Sequence, residues 1–387
     1  MDRILVVAPQ PFFEDRGTPI ALRNVLEAAS RRGHGIDLLT FPVGDPVELP
    51  GLRIFRVGRW LPIRRVPIGF SLRKALLDVF LVPAILARTR KERYGCIYAL
   101  QEAAVFALLL RGWHGLPVIY DMQSSLPEQL KDHPVLGLPA FRKLMERVER
   151  WTIRESDRVF CFTGLRGRVL SIDPAADVRD WIVPWKPDEF PVRDPVRLRE
   201  ELGIAPGSAV VLYAGNFEPY QGVGRLLAAA LEVVAEAPDT VFVLVGDQEP
   251  SRLSGSETAG RLRERGALRI VPRQPKSGIG RFLAMADVLV SPRDDIGNVG
   301  LKVFEYMAAG KPIVATDTEA HRTVLDEERA ALVDLSPRAM GNAILRLLRD
   351  PAAGKRLGES ARSYAEKHLT WQAFEDRVAE LCAPGGR

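Results

Sequence analysis

The chain has 387 residues, a length that predicts two or three domains at roughly 100–200 residues each. Hydrophobic residues make up 47% and charged residues 27%, a balance that excludes global disorder. The 54 Lys and Arg against 49 Asp and Glu leave a net charge of +5. That is too small an excess for a dedicated nucleic-acid binder, but it permits attraction to phosphates or to an anionic membrane surface.

Cys96, Cys161 and Cys382 stand far apart with no CxxC pair, and the histidines show no HExxH spacing. This argues against a disulfide framework and against a zinc site. The apolar part of the N-terminus is too short for a signal peptide. The greasiest stretch, Ala75 to Ala87, is broken by Asp78 and Pro83 and falls short of the roughly 18–20 residues of a spanning helix. The reading is a cytoplasmic protein.

Short apolar runs alternate with amphipathic segments. Ile4–Ala8 predicts a strand, Pro9–Gly17 a loop, and Ile20–Arg32 a helix that stops at Gly33. Further strands are expected at Ile36–Phe41, Leu52–Val57, Cys96–Leu100, Val118–Asp121, Arg158–Phe162 and Trp181–Pro184. The prolines between Val183 and Pro195 mark a linker. The pattern then restarts: strands at Val210–Ala214, Val241–Val245, Leu268–Val271, Val288–Ser291 and Ile313–Thr316, and a helix at Val223–Ala235. Such alternation predicts parallel sheets covered on both faces. Two doubly wound domains follow, with ligands beyond the carboxyl ends of their strands.

The most informative segment runs from Ser291 to Asp317. A strand ends at Ser291, a glycine-containing loop follows, and a helix is expected from near Val299 to Gly310. A helix start offers backbone N–H groups to a phosphate. Lys302 falls in the first turn, where the helix dipole disfavours a cation unless an anion is present. Arg293 stands at the mouth of the loop. Glu305, three residues beyond Lys302, suits a ribose diol; the alternative is a solvated Lys/Glu pair.

Here the sequence resembles family 4 of the retaining glycosyltransferases, over nearly the whole chain. Arg16-Gly17-Thr18-Pro19 followed by a helix and Gly33-His34 resembles that family's N-terminal loop and turn. Ala214-Gly215-Asn216-Phe217-Glu218-Pro219-Tyr220-Gln221-Gly222 resembles the loop opening its nucleotide domain. Phe304-Glu305-Tyr306-Met307-Ala308-Ala309-Gly310-Lys311-Pro312 resembles its donor-site helix, and Glu366-Lys367-His368-Leu369-Thr370-Trp371 its C-terminal stretch. The resemblance implies the α/β GT-B architecture: two facing Rossmann-like doubly wound parallel-sheet domains with a C-terminal helix crossing back to the first. The expected divisions are 1–188, 189–368 and 369–387.

The resemblance also implies transfer of a sugar from a nucleotide diphosphate donor to a carbohydrate or lipid-linked acceptor hydroxyl, with retention and without a metal or other cofactor. Nucleic acid is not an expected partner. The implied binding residues are Gly17, Thr18, Gly215, Asn216, Gln221, Asn298, Gly300, Leu301, Lys302 and Glu305. The implied catalytic set is Lys302, Arg293 and Gln123. Departures from the family pattern stand beside it. Gly297 occupies the place of a common Glu, Asn216 and Gln221 that of a basic pair, and Gln123 that of a His. A subgroup of the family resembles this Ser-Pro-Arg…Asn-x-x-Leu-Lys arrangement, so the expectation is charge relocated to Arg293 and Lys302. The alternatives are an inactive GT-B protein that binds a sugar nucleotide or acts as a scaffold, and a nucleotide-sugar epimerase.

Weaker candidates remain. Asp294-Asp295 suggests a metal site or a solvated loop. Asp121, Ser124 and Ser125 suggest sugar contacts or a helix cap. Glu102 faces the cleft or opens a helix. His34 and His321 are turn residues, His321 also a candidate for the donor pocket. Trp113, Trp181 and Trp185 are expected as core or hinge aromatics. Finally, Arg56, Arg59, Arg64, Arg65, Arg73 and Lys74 interleave with Trp60, Leu61, Ile63, Ile68 and Phe70. That pattern suits either an anionic lipid surface or a solvated loop, and with the lipid reading the protein lies peripherally at the inner face of the membrane.

Overall fold

The computed structural model describes residues 3–14, 17–63, 66, 71–130, 138–184, 195–246, 256–294 and 299–381. The chain divides into two compact units, Met1–Pro184 with Gln372–Arg387, and Trp185–Trp371. The boundary expected between 188 and 189 falls in 185–194, outside the described residues.

The first unit runs β1 (Arg3–Ala8), α1 (Gly17–Arg31), β2 (Ile36–Thr40), β3 (Leu52–Arg56), α2 (Leu72–Lys91), β4 (Tyr94–Leu100), α3 (Ala103–Leu109), α4 (Arg111–His114), β5 (Val118–Met122), α5 (Leu126–Leu130), α6 (Pro139–Glu155), β6 (Arg158–Cys161), α7 (Thr163–Ile172) and β7 (Val178–Asp180). All its strands pair in parallel in the order β3-β2-β1-β4-β5-β6-β7. The second unit runs α8 (Pro195–Glu201), β8 (Ala209–Ala214), a single 3-10 turn (Pro219–Gln221), α9 (Val223–Glu236), β9 (Thr240–Gly246), α10 (Glu257–Glu264), β10 (Leu268–Pro272), α11 (Lys276–Met285), β11 (Val288–Ser291), α12 (Leu301–Ala309), β12 (Ile313–Thr316), α13 (Glu319–Arg322), β13 (Ala331–Val333), α14 (Pro337–Arg349) and α15 (Pro351–His368). Its sheet is also parallel, in the order β10-β9-β8-β11-β12-β13. The last helix, α16 (Trp371–Ala379), is counted with the first unit.

The strands form where the sequence can bury both faces. Every residue of β2 and β9 is buried, as expected for a parallel sheet between helical layers. Strand order reverses between β1 and β4 in one unit and between β8 and β11 in the other. Each is a topological switch point, where adjacent loops diverge and leave room for a ligand.

Three expectations change. Trp181–Pro184 is not a strand; β7 ends at Asp180. The Trp181 ring instead packs 4.6 Å from Phe160 and 5.7 Å from Phe374 of α16. The short edge strand β13 was not expected, its apolar run Ala330–Val333 being only four residues long. Cys96 is disulfide-bonded, which the wide cysteine spacing did not suggest, while Cys161 is buried and free. Among the described residues no helix is long and apolar enough to cross a membrane.

Helix α16 is held in the first unit by charge as well as by Phe374. Arg32 meets Asp376 at 2.6 Å, Arg179 meets Glu380 at 2.6 Å, and Arg158 donates to the Glu380 carbonyl. Near the amino end of β2, Asp37 is fully buried. It accepts from Arg3 at 2.8 Å, Arg53 at 2.7 and 2.8 Å, Arg88 at 2.8 Å and Tyr94 at 2.6 Å. One carboxylate thus ties β1, β2, β3, α2 and β4 together. Burial alone would raise its pKa, but the bonds from Arg53 and Tyr94 and the charges of Arg53 and Arg3 hold it below the usual value.

Asp37→Ala leaves these cations facing a void, and is expected to destabilise the first unit by roughly 2–4 kcal/mol, since removing one partner of a buried pair is costly. Because the folded pKa is depressed, the wild-type advantage is complete above the unfolded carboxylate value of about 4 and is lost as pH falls through the folded value. Urea unfolding of both proteins at neutral and acidic pH checks this; equal stability at neutral pH refutes the assignment.

Candidate functional site

At the second switch point, the loops leaving β8 and β11 are locked together. The Asp294 N–H donates to the Tyr220 carbonyl at 2.9 Å. Arg225, early in α9, donates to the Pro292 carbonyl at 2.5 Å, the Asp294 carboxylate at 2.7 Å and the Leu335 carbonyl at 3.0 Å. Gly222 makes the approach possible: its φ is +68°, and a Cβ there would lie 1.9 Å from the Pro292 oxygen. Below the loops, His321 joins Ser291 (2.9 Å) to the Thr316 carbonyl (2.7 Å) and is itself buried. It therefore braces the ends of β11 and β12 from inside.

Helix α12 starts at Leu301, two residues later than expected, with Gly300 as its N-cap in an extended conformation and no side-chain cap. Lys302 lies in the first turn and is buried. Its ammonium donates to Gln221 Oε1 at 2.7 Å and sits 4.0 Å from the centre of the Tyr213 ring. A cation over an aromatic face is stabilised by the ring quadrupole. The Tyr213 hydroxyl in turn donates to the Asn216 carbonyl at 2.6 Å. Gly215 is confined: a Cβ would lie 2.9 Å from the Tyr213 hydroxyl and 3.2 Å from Lys302 Nζ.

Arg293 is also buried, with its guanidinium 5.2 Å from the centre of the Tyr220 ring. Gly300 lies against it; a Cβ there would stand 2.9 Å from Arg293 Nη1. Burial pushes the Lys302 pKa well down, and the Arg293 charge pushes it further, while Glu305 acts in the opposite sense. Two cations and a helix start thus converge on one small space. This is the electrostatic environment of an anion site.

Gly215, Asn216, Gln221, Arg293, Gly300, Leu301, Lys302 and half-buried Glu305 are therefore brought to one end of the second sheet. Asn298 and Asp295 lie outside the described residues. Asp294 is an ion-pair partner of Arg225, and among the described residues no group of three His, Cys, Asp or Glu could hold a metal ion. Tyr213, Tyr220 and Arg225 escaped sequence reading. The available signal was a Tyr two residues before the Gly-Asn turn.

The remaining predicted residues belong to the first unit. Gly17 and Thr18 begin α1, after β1. Gln123 follows β5 and donates to both oxygens of Asp121 at 2.7 Å. Asp121 also accepts from Tyr98 at 2.5 Å and from the Trp181 indole at 2.9 Å. Its burial lifts its pKa to about 6 against the lowering effect of these bonds. Ser124 accepts from Gln101 at 2.6 Å, and the Leu126 N–H is met by Glu149 at 2.8 Å.

Lys74 pairs with Glu102 at 2.5 Å. Beside Glu102, Asp78 is pushed up to about 8, by burial first and by the Glu102 charge second. Arg56 points inward, donating to the carbonyls of Val43 at 2.9 Å and Gly44 at 3.0 Å. The two ends of the basic stretch Arg56–Lys74 are thus engaged by the protein. Arg64, Arg65, Ile68 and Phe70 lie outside the described residues, as does Trp185. Trp113 is exposed, contrary to its expected place in a core or hinge.

Two doubly wound parallel sheets, the second carrying this cationic switch point, define a protein of the GT-B class. Residues 16–165 match the family described as Glycosyl transferase 4-like domain, and residues 208–350 match Glycosyl transferases group 1. The phosphatidyl-myo-inositol mannosyltransferase of Mycobacterium tuberculosis is 30% identical over 393 residues, covering 98% of this chain and 96% of that one. The chain belongs to this glycosyltransferase family. Against other relatives the match spans only about half of their length, 51% and 58% for two of them. Among solved structures, sucrose-phosphate synthase from Thermosynechococcus elongatus superposes with a TM-score of 0.81 at 23% identity, over 98% of each chain. Anabaena HepE in complex with UDP superposes with a TM-score of 0.76 at 16% identity, over 98% of each chain.

Gly222→Ala places a methyl group against the Pro292 carbonyl on a left-handed backbone. It is expected to destabilise the second unit by about 2 kcal/mol or more, of which the αL conformation accounts for roughly 1–2. Thermal unfolding provides the measurement, and a melting temperature unchanged from wild type contradicts the locked-loop geometry.

Proposed function

We propose that the protein transfers a sugar from a nucleotide diphosphate donor to an acceptor hydroxyl, with retention, in glycan or glycolipid synthesis. The observation that carries this reading is the buried Lys302 beside Arg293 at the start of α12. A desolvated ammonium is costly unless something negative accompanies it. Its hydrogen-bond partner, the Gln221 amide, is neutral, so a diphosphate supplies what the site lacks. The donor is UDP-linked by analogy with HepE, which binds UDP. The acceptor is a carbohydrate or a lipid-linked polyol, by analogy with the mycobacterial relative, named for phosphatidyl-myo-inositol.

In this reading Glu305 holds the ribose. Lys302, Arg293 and the N–H groups at Leu301 and Lys302 stabilise charge on the departing diphosphate, the usual route to catalysis of such steps. Gly17 and Thr18 after β1, and Gln123 after β5, are the first unit's own candidates for binding substrate. The leaving phosphate oxygen takes the acceptor proton as the new glycosidic bond forms on the same face. The two cations do the neutralising work, and no metal is needed. The protein works in the cytoplasm, at the inner face of the membrane when the acceptor is lipid-linked.

The test is a panel of nucleoside diphosphates and their sugars, read by thermal shift and by donor consumption. Lys302→Met should lose diphosphate affinity about tenfold or more, since bonds to charged groups are worth roughly 1.5–3 kcal/mol, and keep nucleoside affinity. Diphosphate binding also raises the depressed Lys302 pKa, so at pH values between the free and bound pKa the complex takes up a proton, and affinity falls as pH rises through that window. Calorimetry in buffers of different ionisation enthalpy, well above the phosphate's own pKa of about 6, should show this uptake in wild type and none in Lys302→Met. Full diphosphate affinity in the variant moves the site elsewhere.

Glu305→Ala should weaken both nucleosides and nucleotides by about tenfold. If it weakens only the diphosphate, Glu305 supports Lys302 and does not hold the ribose.

A further inference from the structure

Asp121 lies near the carboxyl end of β5 and Gln123 just beyond it, and both are buried. Three side chains meet the Asp121 carboxylate. Its Oδ1 accepts from the Trp181 indole at 2.9 Å and its Oδ2 from the Tyr98 hydroxyl at 2.5 Å, while the Gln123 amide nitrogen stands 2.7 Å from both oxygens. Among the described residues no Lys or Arg bonds to it. An indole N–H can only donate, and the wholly buried Tyr98 hydroxyl has this carboxylate as its acceptor. Both oxygens therefore accept at once, as the ionised acid does, and that form has no proton to give. A Gln amide has the same shape either way round, so its hydrogen bonds alone decide its orientation. The charge on Asp121 turns the Gln123 nitrogen inward and carries the carbonyl oxygen on the other side.

The neutral acid reverses this. Its O–H needs an acceptor, Trp181 has none, and Tyr98 could accept only by leaving its own proton unbonded. The Gln123 carbonyl is the acceptor left, and half a turn of the amide presents it without any change in volume. Protonation thus exchanges oxygen for nitrogen on the side of Gln123 away from Asp121. The ionisable groups around Asp121 do not compete for this role. Burial pushes Tyr98 of β4 and Tyr120 of β5 well up, and Cys161 of β6 up to about 12. Asp180 of β7 pairs with Arg166. On α16, which reaches Trp181 through Phe374, the acids Glu375, Asp376 and Glu380 pair with Arg31, Arg32 and Arg179.

We infer that Asp121 is a positioning residue whose charge makes the carbonyl oxygen, and not the nitrogen, the atom that Gln123 offers to substrate, so that Gln123 selects a hydroxyl that donates to it. The selectivity rests on the reading of Gln123 as a substrate-binding residue; the orientation of the amide does not. Fluorine in place of that hydroxyl can only accept. It would face another acceptor, and a site built to bond a hydroxyl discriminates against an analogue that cannot return the bond. In Asp121→Asn the new amide keeps an oxygen for Trp181 and gives an N–H to Gln123, which holds Gln123 reversed at every pH.

The experiment has two arms on the full chain. In the first, without substrate, the side-chain amide resonance of Gln123 is identified by its loss in Gln123→Met and followed through the pH range around 6, the value to which burial lifts Asp121. It should titrate in wild type and stay at the acid-limit position in Asp121→Asn; a wild-type signal that does not move overturns the inference. In the second, consumption of UDP-glucose is compared with that of its 3-, 4- and 6-deoxyfluoro forms at pH well above 6. Wild type should lose about tenfold or more in kcat/KM for one of the three, and Asp121→Asn should lose most of that discrimination while keeping its UDP affinity. Should Asp121→Asn not fold, wild type at acidic pH should show the same loss. An amide that titrates while discrimination stays equal in both proteins, or at both pH values, overturns the positioning role. A wild type that consumes no UDP-glucose fails the donor reading proposed above, and the amide titration alone then decides whether Asp121 sets the orientation of Gln123.

Discussion

An ammonium group removed from water has to be paid for by its surroundings, and the second unit is arranged around that requirement at Lys302. Tyr213 provides a ring face, Gln221 an amide oxygen, and Gly215 the absence of a side chain. None of these is an anion, so the stabilisation is incomplete. The nearby Arg293 makes it worse. Keeping two like charges close in a buried space needs a stiff frame, and the frame is visible: Arg225 and Gly222 clamp the two loops, and His321 braces the strands beneath. Preorganised charge of this kind does not have to be assembled when the ligand arrives.

The first unit solves the opposite problem at its two sheet ends. At the amino end Asp37 is oversupplied with donors, and its charge is secured. At the carboxyl end Asp121 and Asp78 are held where burial raises their carboxyl pKa values, and the Glu102 charge adds to the effect on Asp78. The structural end binds charge tightly, and the end that faces ligands in doubly wound folds holds groups that change protonation near neutral pH. Asp78, pushed up to about 8, is the clearest of them.

Much of this was legible beforehand. Buried parallel strands are near-continuous apolar runs, so ten or more of them could be read directly, and the loop positions followed from the sheet rule. Edge strands were not legible: β13 spans only Ala331–Val333, and β7 is the polar Val178–Asp180. Trp181–Pro184 looked like a strand because its apolar character serves aromatic packing with Phe160 and Phe374. Lys302 in a first helical turn was a true local anomaly and could be noticed without coordinates. The inward turn of Arg56 and the Glu102 partner of Lys74 could not, because a basic residue in a string carries no sign of what it will meet.

Helix α16 makes the first unit discontinuous in the chain. On a ribosome the whole of residues 185–371 is synthesised before Phe374, Asp376 and Glu380 exist. The surface of Trp181 and the side chains of Arg32, Arg158 and Arg179 therefore wait, uncovered, while the second unit is already free to fold. Domains generally fold as units in order of synthesis, and here that order is inverted for the final step: the unit that begins the chain is the last to be completed. A nascent chain stalled short of Trp371 would carry a finished second unit and an open first one.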